Sequence, residues 1–141
     1  MELNNEIYSK ILELCSNGDK MVEKGEFDKA IQDYKRALDL VPPPKNTWDT
    51  STWIYTALGD TYFLKSDYKE AVEYFYNAMN CPDGLNNPFI LLRLGQSLYN
   101  VDEKTKAKEY LLRAYMLEGL EIFQEEDDKY LQLILNDIKE L

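Results

Sequence analysis

The sequence predicts an all-α fold, three helical hairpins stacked side by side with a capping helix at the C-terminal end. Two observations carry this. Apolar residues recur at three- and four-residue spacing along most of the chain, which lays one buried stripe on each helix. A small-residue frame also repeats three times in register: Gly18, Ala30 and Ala37; Gly59, Ala71 and Ala78; Gly95, Ala107 and Ala114. In each set the glycine and the first alanine are twelve residues apart, and the two alanines seven. A glycine facing an alanine lets two antiparallel helices approach closely, and larger residues beside them fill the remaining space.

The elements follow in order. The first hairpin reads Leu14-x3-Gly18-x2-Met21, then Ala30-x3-Tyr34-x2-Ala37, with Gly25 placed to close the first helix in the left-handed conformation. The second reads Tyr55-x2-Leu58-Gly59-x2-Tyr62, then Ala71-x3-Phe75-x2-Ala78, and Asp67 with Glu70 has the spacing of a capping box. In the third, Leu91-x2-Leu94-Gly95-x2-Leu98 precedes Ala107-x3-Leu111-x2-Ala114. Asn87-Pro88 is an N-cap followed by proline at the first helical position, and Asp102 is a candidate cap for the last helix of that hairpin. Two turn-rich links, VPPPKNTWDTST and CPDGLNNP, separate the hairpins. Pro42-Pro43-Pro44 reads as a helix stop that stiffens its link, or as a short polyproline ligand. The tail, 128–141, gathers Tyr130, Leu131, Ile134, Leu135, Ile138 and Leu141 on one broad helical face and leaves Leu133 outside it. Such a helix caps a repeat array, makes a dimer contact, or folds into the groove of its own superhelix.

These residues resemble the tetratricopeptide repeat family, whose pattern is W-x2-L-G-x2-Y…A-x3-F…A…P. The second hairpin fits best; Asn17, Leu98, Leu111, Pro82 and Gly119 depart from the pattern in one repeat or another. The resemblance implies one domain over 1–141, with repeats near 11–44, 52–85 and 88–121 and a C-terminal helix near 128–141. It also implies a right-handed superhelix whose concave face is lined by the first helix of each repeat.

Composition narrows the chemistry. With 45% hydrophobic and 13% aromatic residues, 141 residues suffice for one folded core. Sixteen basic against 26 acidic residues give a net charge of -10, which disfavours nucleic acid and membrane surfaces and favours a cationic partner. Histidine is absent, removing the commonest general base and metal ligand. Cys15 and Cys81 lie far apart with no CxxC, so zinc and thioredoxin-type chemistry are not expected. Two reduced thiols in a cytoplasmic protein, or a single disulfide, remain open. The N-terminal sequence lacks a basic start followed by an apolar stretch, so no signal peptide is expected. No cofactor, metal or enzymatic activity is expected of this scaffold.

The resemblance places Leu12, Cys15, Asp19 and Val22, then Trp53, Thr56, Asp60 and Phe63, then Phe89, Leu92, Gln96 and Tyr99 on the groove. The partner-binding candidates are Asp19, Trp53, Asp60, Phe63, Phe89, Leu92, Gln96 and Tyr99. Family members that grip an acidic peptide's carboxylate use Lys, Asn and Arg; the matching positions here hold Cys15, Asp19, Ala57 and Phe89, and only Arg93 conforms. An apolar or basic peptide suits this groove better. A second candidate surface is acidic: Glu118, Glu121, Glu125, Glu126, Asp127 and Asp128. The expected function is a non-enzymatic module, monomeric or dimeric, that binds a basic or apolar peptide or protein. Two alternatives stand beside it. The run LLRAYMLEGLEIFQEEDDKYL is similar to small bacterial repeat proteins associated with immunity to cationic toxins. The tail could instead build a scaffold by self-association.

Overall fold

The computed structural model describes residues 2–140. They form seven α-helices: α1 Asn5–Glu23, α2 Phe27–Leu40, α3 Asp49–Leu64, α4 Tyr68–Met79, α5 Pro88–Asn100, α6 Lys104–Glu118 and α7 Asp128–Lys139. Short 3₁₀ segments at Lys45–Thr47 and Gly119–Phe123 complete the helical structure, and the described residues contain no strand. Helices α1 and α2, α3 and α4, and α5 and α6 pack as hairpins, and each hairpin packs on the next through α2 against α3 and α4 against α5. The first helix begins at Asn5, about a turn and a half before the repeat pattern starts, because Asn4 caps it by accepting from the Glu6 and Ile7 amides.

The repeated glycines mark where the helices of a hairpin meet. A Cβ at Gly18 would lie 2.7 Å from the Tyr34 ring, one at Gly59 would lie 2.9 Å from the Phe75 ring, and one at Gly95 would lie 2.7 Å from Leu111. The side chains set against these glycines are thus Tyr34, Phe75 and Leu111, with an alanine backbone close only at Gly95 and Ala107, and Ala30, Ala71 and Ala107 are wholly buried. The aromatic-to-Leu111 change in the third hairpin therefore keeps the contact with a smaller side chain.

All three first helices end the same way. Gly25, Ser66 and Asp102 adopt positive φ of 76°, 65° and 66°. The next amide reaches back five residues, Glu26 to Met21, Asp67 to Tyr62 and Glu103 to Leu98, at 2.8–2.9 Å. This is the glycine-type helix stop, and only the first hairpin uses glycine for it. Asp102 is thus the left-handed residue that closes α5; the residue at the N-cap position of α6 is Glu103, whose side chain makes no capping bond. Asp67 does precede α4, but its side chain makes no capping bond, so the capping-box expectation fails: the backbone turn already fixes the junction. Asn87 caps α5 as expected, accepting from the Phe89 and Ile90 amides with Pro88 at the first helical position.

The longer first link is packed. Lys45 donates to the Leu38 and Val41 carbonyls at 2.8 Å each, satisfying the end of α2, and the Trp48 indole donates to Pro42 at 2.8 Å. Trp48 thereby joins the main core with Ile11, Tyr34, Ile54, Leu58, Phe75 and Leu94. A second cluster joins Leu91, Leu92, Leu111 and Ala114 to Phe123, Tyr130 and Ile134 from the tail. The tail is therefore packed on the third hairpin. Leu131 and Ile138 pack there as the amphipathic pattern requires, yet so does Leu133, which the helical wheel left outside the face. Leu141 lies outside the described residues. Cys15 and Cys81 are free thiols, so no disulfide joins them.

Candidate peptide-binding face

Helix α3 touches α5 directly, so the first helices of the hairpins share a face of the stack. On it, Leu12 of α1, Trp53 of α3 and Phe89 of α5 are large apolar residues left about 40% exposed (42%, 39% and 39%). Tyr8, one turn before Leu12 on α1, meets the Trp53 indole edge to face with ring centres 6.5 Å apart. Phe63 and Tyr99 are half-buried. Asp19 is exposed and accepts from the Tyr34 hydroxyl at 2.5 Å, tying α2 to α1. Burial, and then that hydrogen bond to a carboxylate, push the Tyr34 hydroxyl well above its ordinary range. Burial and the nearby Asp19 charge likewise push the Cys15 thiol up to about 11, which keeps it neutral and unreactive.

The α5 end is built differently. The Arg93 guanidinium pairs with Asp60 of α3 at 2.9 Å and with Glu126, which precedes α7, at 2.7 Å. It also donates to the Gln96 side-chain oxygen at 2.7 Å, and the Gln96 amide nitrogen donates to Glu126 at 2.7 Å. The guanidinium lies 4.6 Å from the Phe63 ring centre and 5.1 Å from that of Phe89. With the Arg93 side chain 15% exposed and that of Glu126 20% exposed, the pairing is shielded from solvent. Next to it, Asn100 donates to the Tyr130 hydroxyl at 2.8 Å, while the Tyr99 and Tyr130 rings meet edge to face at 5.3 Å.

The expected groove residues therefore separate into two groups. Trp53, Phe89 and Asp19 face solvent, and Asp60, Phe63 and Tyr99 are partly covered. Leu92 and Gln96 do not line an open surface: they are 3% and 0% exposed, because the tail lies over this part of α5. In the acidic cluster, Glu118, Glu121, Glu125 and Asp128 are exposed. Glu126 is bound to Arg93 and Gln96, and Asp127 caps α7 by accepting from the Lys129 amide. Sequence reasoning left two residues out of the candidate list, Tyr8 and Arg93. Their signal was periodicity: Tyr8 is four residues before Leu12, and Arg93 four after Phe89. No group of acidic and cysteine side chains among the described residues is arranged to hold a metal ion. No described helix is long and apolar enough to cross a membrane.

Residues 54–80, most of the second hairpin, match the family model of the tetratricopeptide repeat. The chain has the tetratricopeptide-repeat fold. Solved structures of that fold extend the likeness along the chain. The C-terminal tetratricopeptide-containing domain of a putative FK506-binding protein from Plasmodium falciparum is 23% identical, with a TM-score of 0.77 over 99% of this chain and 95% of that one. The first such domain of Spaghetti (RPAP3), solved bound to the HSP90 peptide SRMEEVD, is 22% identical, with a TM-score of 0.67 over 78% and 80%. YrrB, described as having an unusual peptide-binding site, is 26% identical, with a TM-score of 0.62 over 74% of this chain and half of that one. The sequence matches none of the curated proteins with which it was compared.

Proposed function

We propose that this tetratricopeptide-repeat chain is a non-catalytic module that binds a peptide or protein segment carrying basic and apolar side chains along the face shared by α1, α3 and α5. The observation that carries the reading is the exposure of Trp53 and Phe89 on that face, with the exposed carboxylate of Asp19 on α1, in a chain of net charge -10. Aromatic side chains are the commonest anchors of interfaces, and carboxylates beside them select cations. RPAP3 and YrrB, two structural neighbours, are described with peptides or a peptide-binding site. The ligand class differs from the acidic SRMEEVD bound by the first of these. Arg93, the one cation matching the carboxylate-gripping pattern, is already answered by two carboxylates of its own chain, Asp60 and Glu126. An incoming carboxylate would meet a filled site.

The exposed carboxylates Glu118, Glu121, Glu125 and Asp128 extend the negative field beyond the face and would speed encounter with a cationic partner. The test is selection from a random immobilised peptide library at low and high salt. Basic and apolar side chains should be enriched, and Trp53→Ala with Phe89→Ala should weaken the selected peptides at least tenfold while the far-ultraviolet circular dichroism is unchanged. Enrichment of acidic C-terminal peptides, or affinity untouched by the double variant, refutes the reading.

A further inference from the structure

The described residues contain three aromatic side chains of high exposure, Tyr8, Trp53 and Phe89. Phe89 already holds a cation, Arg93, over its ring. The fold repeats this device elsewhere: Lys35 lies 5.7 Å from the centre of the Tyr62 ring, Lys104 5.1 Å from Tyr99 and Lys129 5.2 Å from Tyr130. Tyr8 and Trp53 have no such cation among the described residues. They stand at one side of a pocket of about 470 Å³ between the start of α1 and the start of α3, whose lining also includes Glu2, Trp48, Asp49 and Thr50.

The pocket has the features a cation needs. Tyr8 and Trp53 meet edge to face, and the Trp48 indole is held by its bond to Pro42, so the aromatic wall is in place before anything binds. Glu2 and Asp49 are exposed, and neither forms an ion pair among the described residues. Thr50 is only 7% exposed and lines the pocket. The amino end of α3 also opens here and by itself favours anions, but Asp49 in its first turn offsets that field.

We propose that this pocket is the specificity site of the binding face and takes the charged side chain of a lysine or arginine in the partner. Its cation sits against the Tyr8 and Trp53 rings and is neutralised by Glu2 and Asp49, reproducing with a partner's cation what Arg93 does for Phe63 and Phe89 from within. The inference rests on the reading of the face given above and deepens it: the pocket sets one obligatory basic position in the bound segment.

The test uses the full chain and a small probe, so that it is independent of any partner. N-acetyl-lysine methylamide is titrated while backbone and indole resonances are followed by NMR, with N-acetyl-norleucine methylamide as the uncharged comparison and sodium acetate as the anionic one. Lysine should shift the Trp53 indole and the amides of Tyr8, Asp49 and Thr50, with norleucine at least about fivefold weaker. Glu2→Gln with Asp49→Asn should abolish that preference while leaving the spectrum otherwise folded. Equal response to norleucine, a stronger response to acetate, or no response up to 50 mM overturns the proposal. Phe89→Ala separates the two readings, since it should leave the probe's binding unchanged and weaken library peptides. If library peptides bind through Phe89 while the probe does not bind, the face stands and the pocket falls. If the probe binds but Phe89→Ala leaves peptide affinity intact, the face falls.

Discussion

The two ends of the face shared by α1, α3 and α5 differ in what covers them. At the α1–α3 end, Tyr8, Leu12 and Trp53 are open and Asp19 bonds only a tyrosine hydroxyl. At the α5 end, Leu92 and Gln96 are buried, and Arg93 is held by Asp60 and Glu126 between two phenylalanine rings. The difference comes from what stacks next. A repeat at the end of an array exposes the apolar flank on which another repeat would pack, and here the 3₁₀ segment and α7 cover that flank with Phe123, Tyr130 and Ile134. In passing over α5 they deliver Glu126 to the guanidinium. The cap that completes the core therefore also closes one end of the face.

Removing the cap's anchor is expected to have the largest effect. Ile134→Ala empties a wholly buried site and should cost about 2–5 kcal/mol in urea unfolding, whereas Leu12→Ala at the open end should cost under about 0.5 kcal/mol. Similar losses at both positions would mean that the two ends do not differ as described. Breaking the polar junction comes next. Arg93→Leu leaves the Asp60 carboxylate and the Gln96 side-chain oxygen without their donor and Glu126 with only the Gln96 amide, and should cost about 2 kcal/mol; Lys29→Ala, whose pair with Glu26 is exposed, should change stability by less than about 0.5 kcal/mol. A thermal melt of Arg93→Leu that matches the parent chain would show the junction to be a surface pairing.

The smallest effect is a pH dependence at the open end. The half-buried Cys15 thiol is raised from 9.0 to about 11, first by burial and then by Asp19. Below pH 9 the thiol is protonated in folded and unfolded chains alike, and its full contribution to stability is present. Between pH 9 and 11 the unfolded thiol ionises first, so stability falls as pH rises. The loss should be below about 1 kcal/mol at pH 10, given partial exposure, and Cys15→Ala should flatten this part of the urea-midpoint profile. Alkylation of Cys15 by iodoacetamide at pH 8.5 should be slow in the folded chain and fast in urea; equal rates would place the thiol in solvent.

The hairpins were legible in the sequence because each depends on local spacing. Gly59, Ala71 and Phe75 lie within seventeen residues of one another, and folding two helices back across a tight turn sets Gly59 against the Phe75 ring. The αL turn was legible at Gly25 but not at Ser66 or Asp102, since residues with a Cβ adopt that conformation only when the surrounding backbone bonds impose it. Asp67 shows the reverse error, a good cap by composition made idle by a turn that satisfies its own amides. On the face, the positions of Trp53 and Phe89 came from the resemblance to the repeat family, and both are exposed. Leu92 and Gln96 have the same register and are buried, because register says which side a residue faces and not what covers that side.

By itself, then, the sequence determined the all-α class, the three hairpins, the excess of negative charge and an amphipathic tail with more apolar surface than a solvent-facing helix can leave exposed. Each follows from helical periodicity, small-residue spacing or composition, which are properties of short stretches. Only the tertiary structure decided that the tail lies on α5 and α6, that Glu126 reaches Arg93, and that Tyr8 and Trp53 frame a pocket with Asp49. Asp60 and Glu126 each lie 33 residues from Arg93, on opposite sides of it in sequence. No local pattern specifies a contact at that distance; it is set by the packing of one hairpin on the next, which brings the three side chains together.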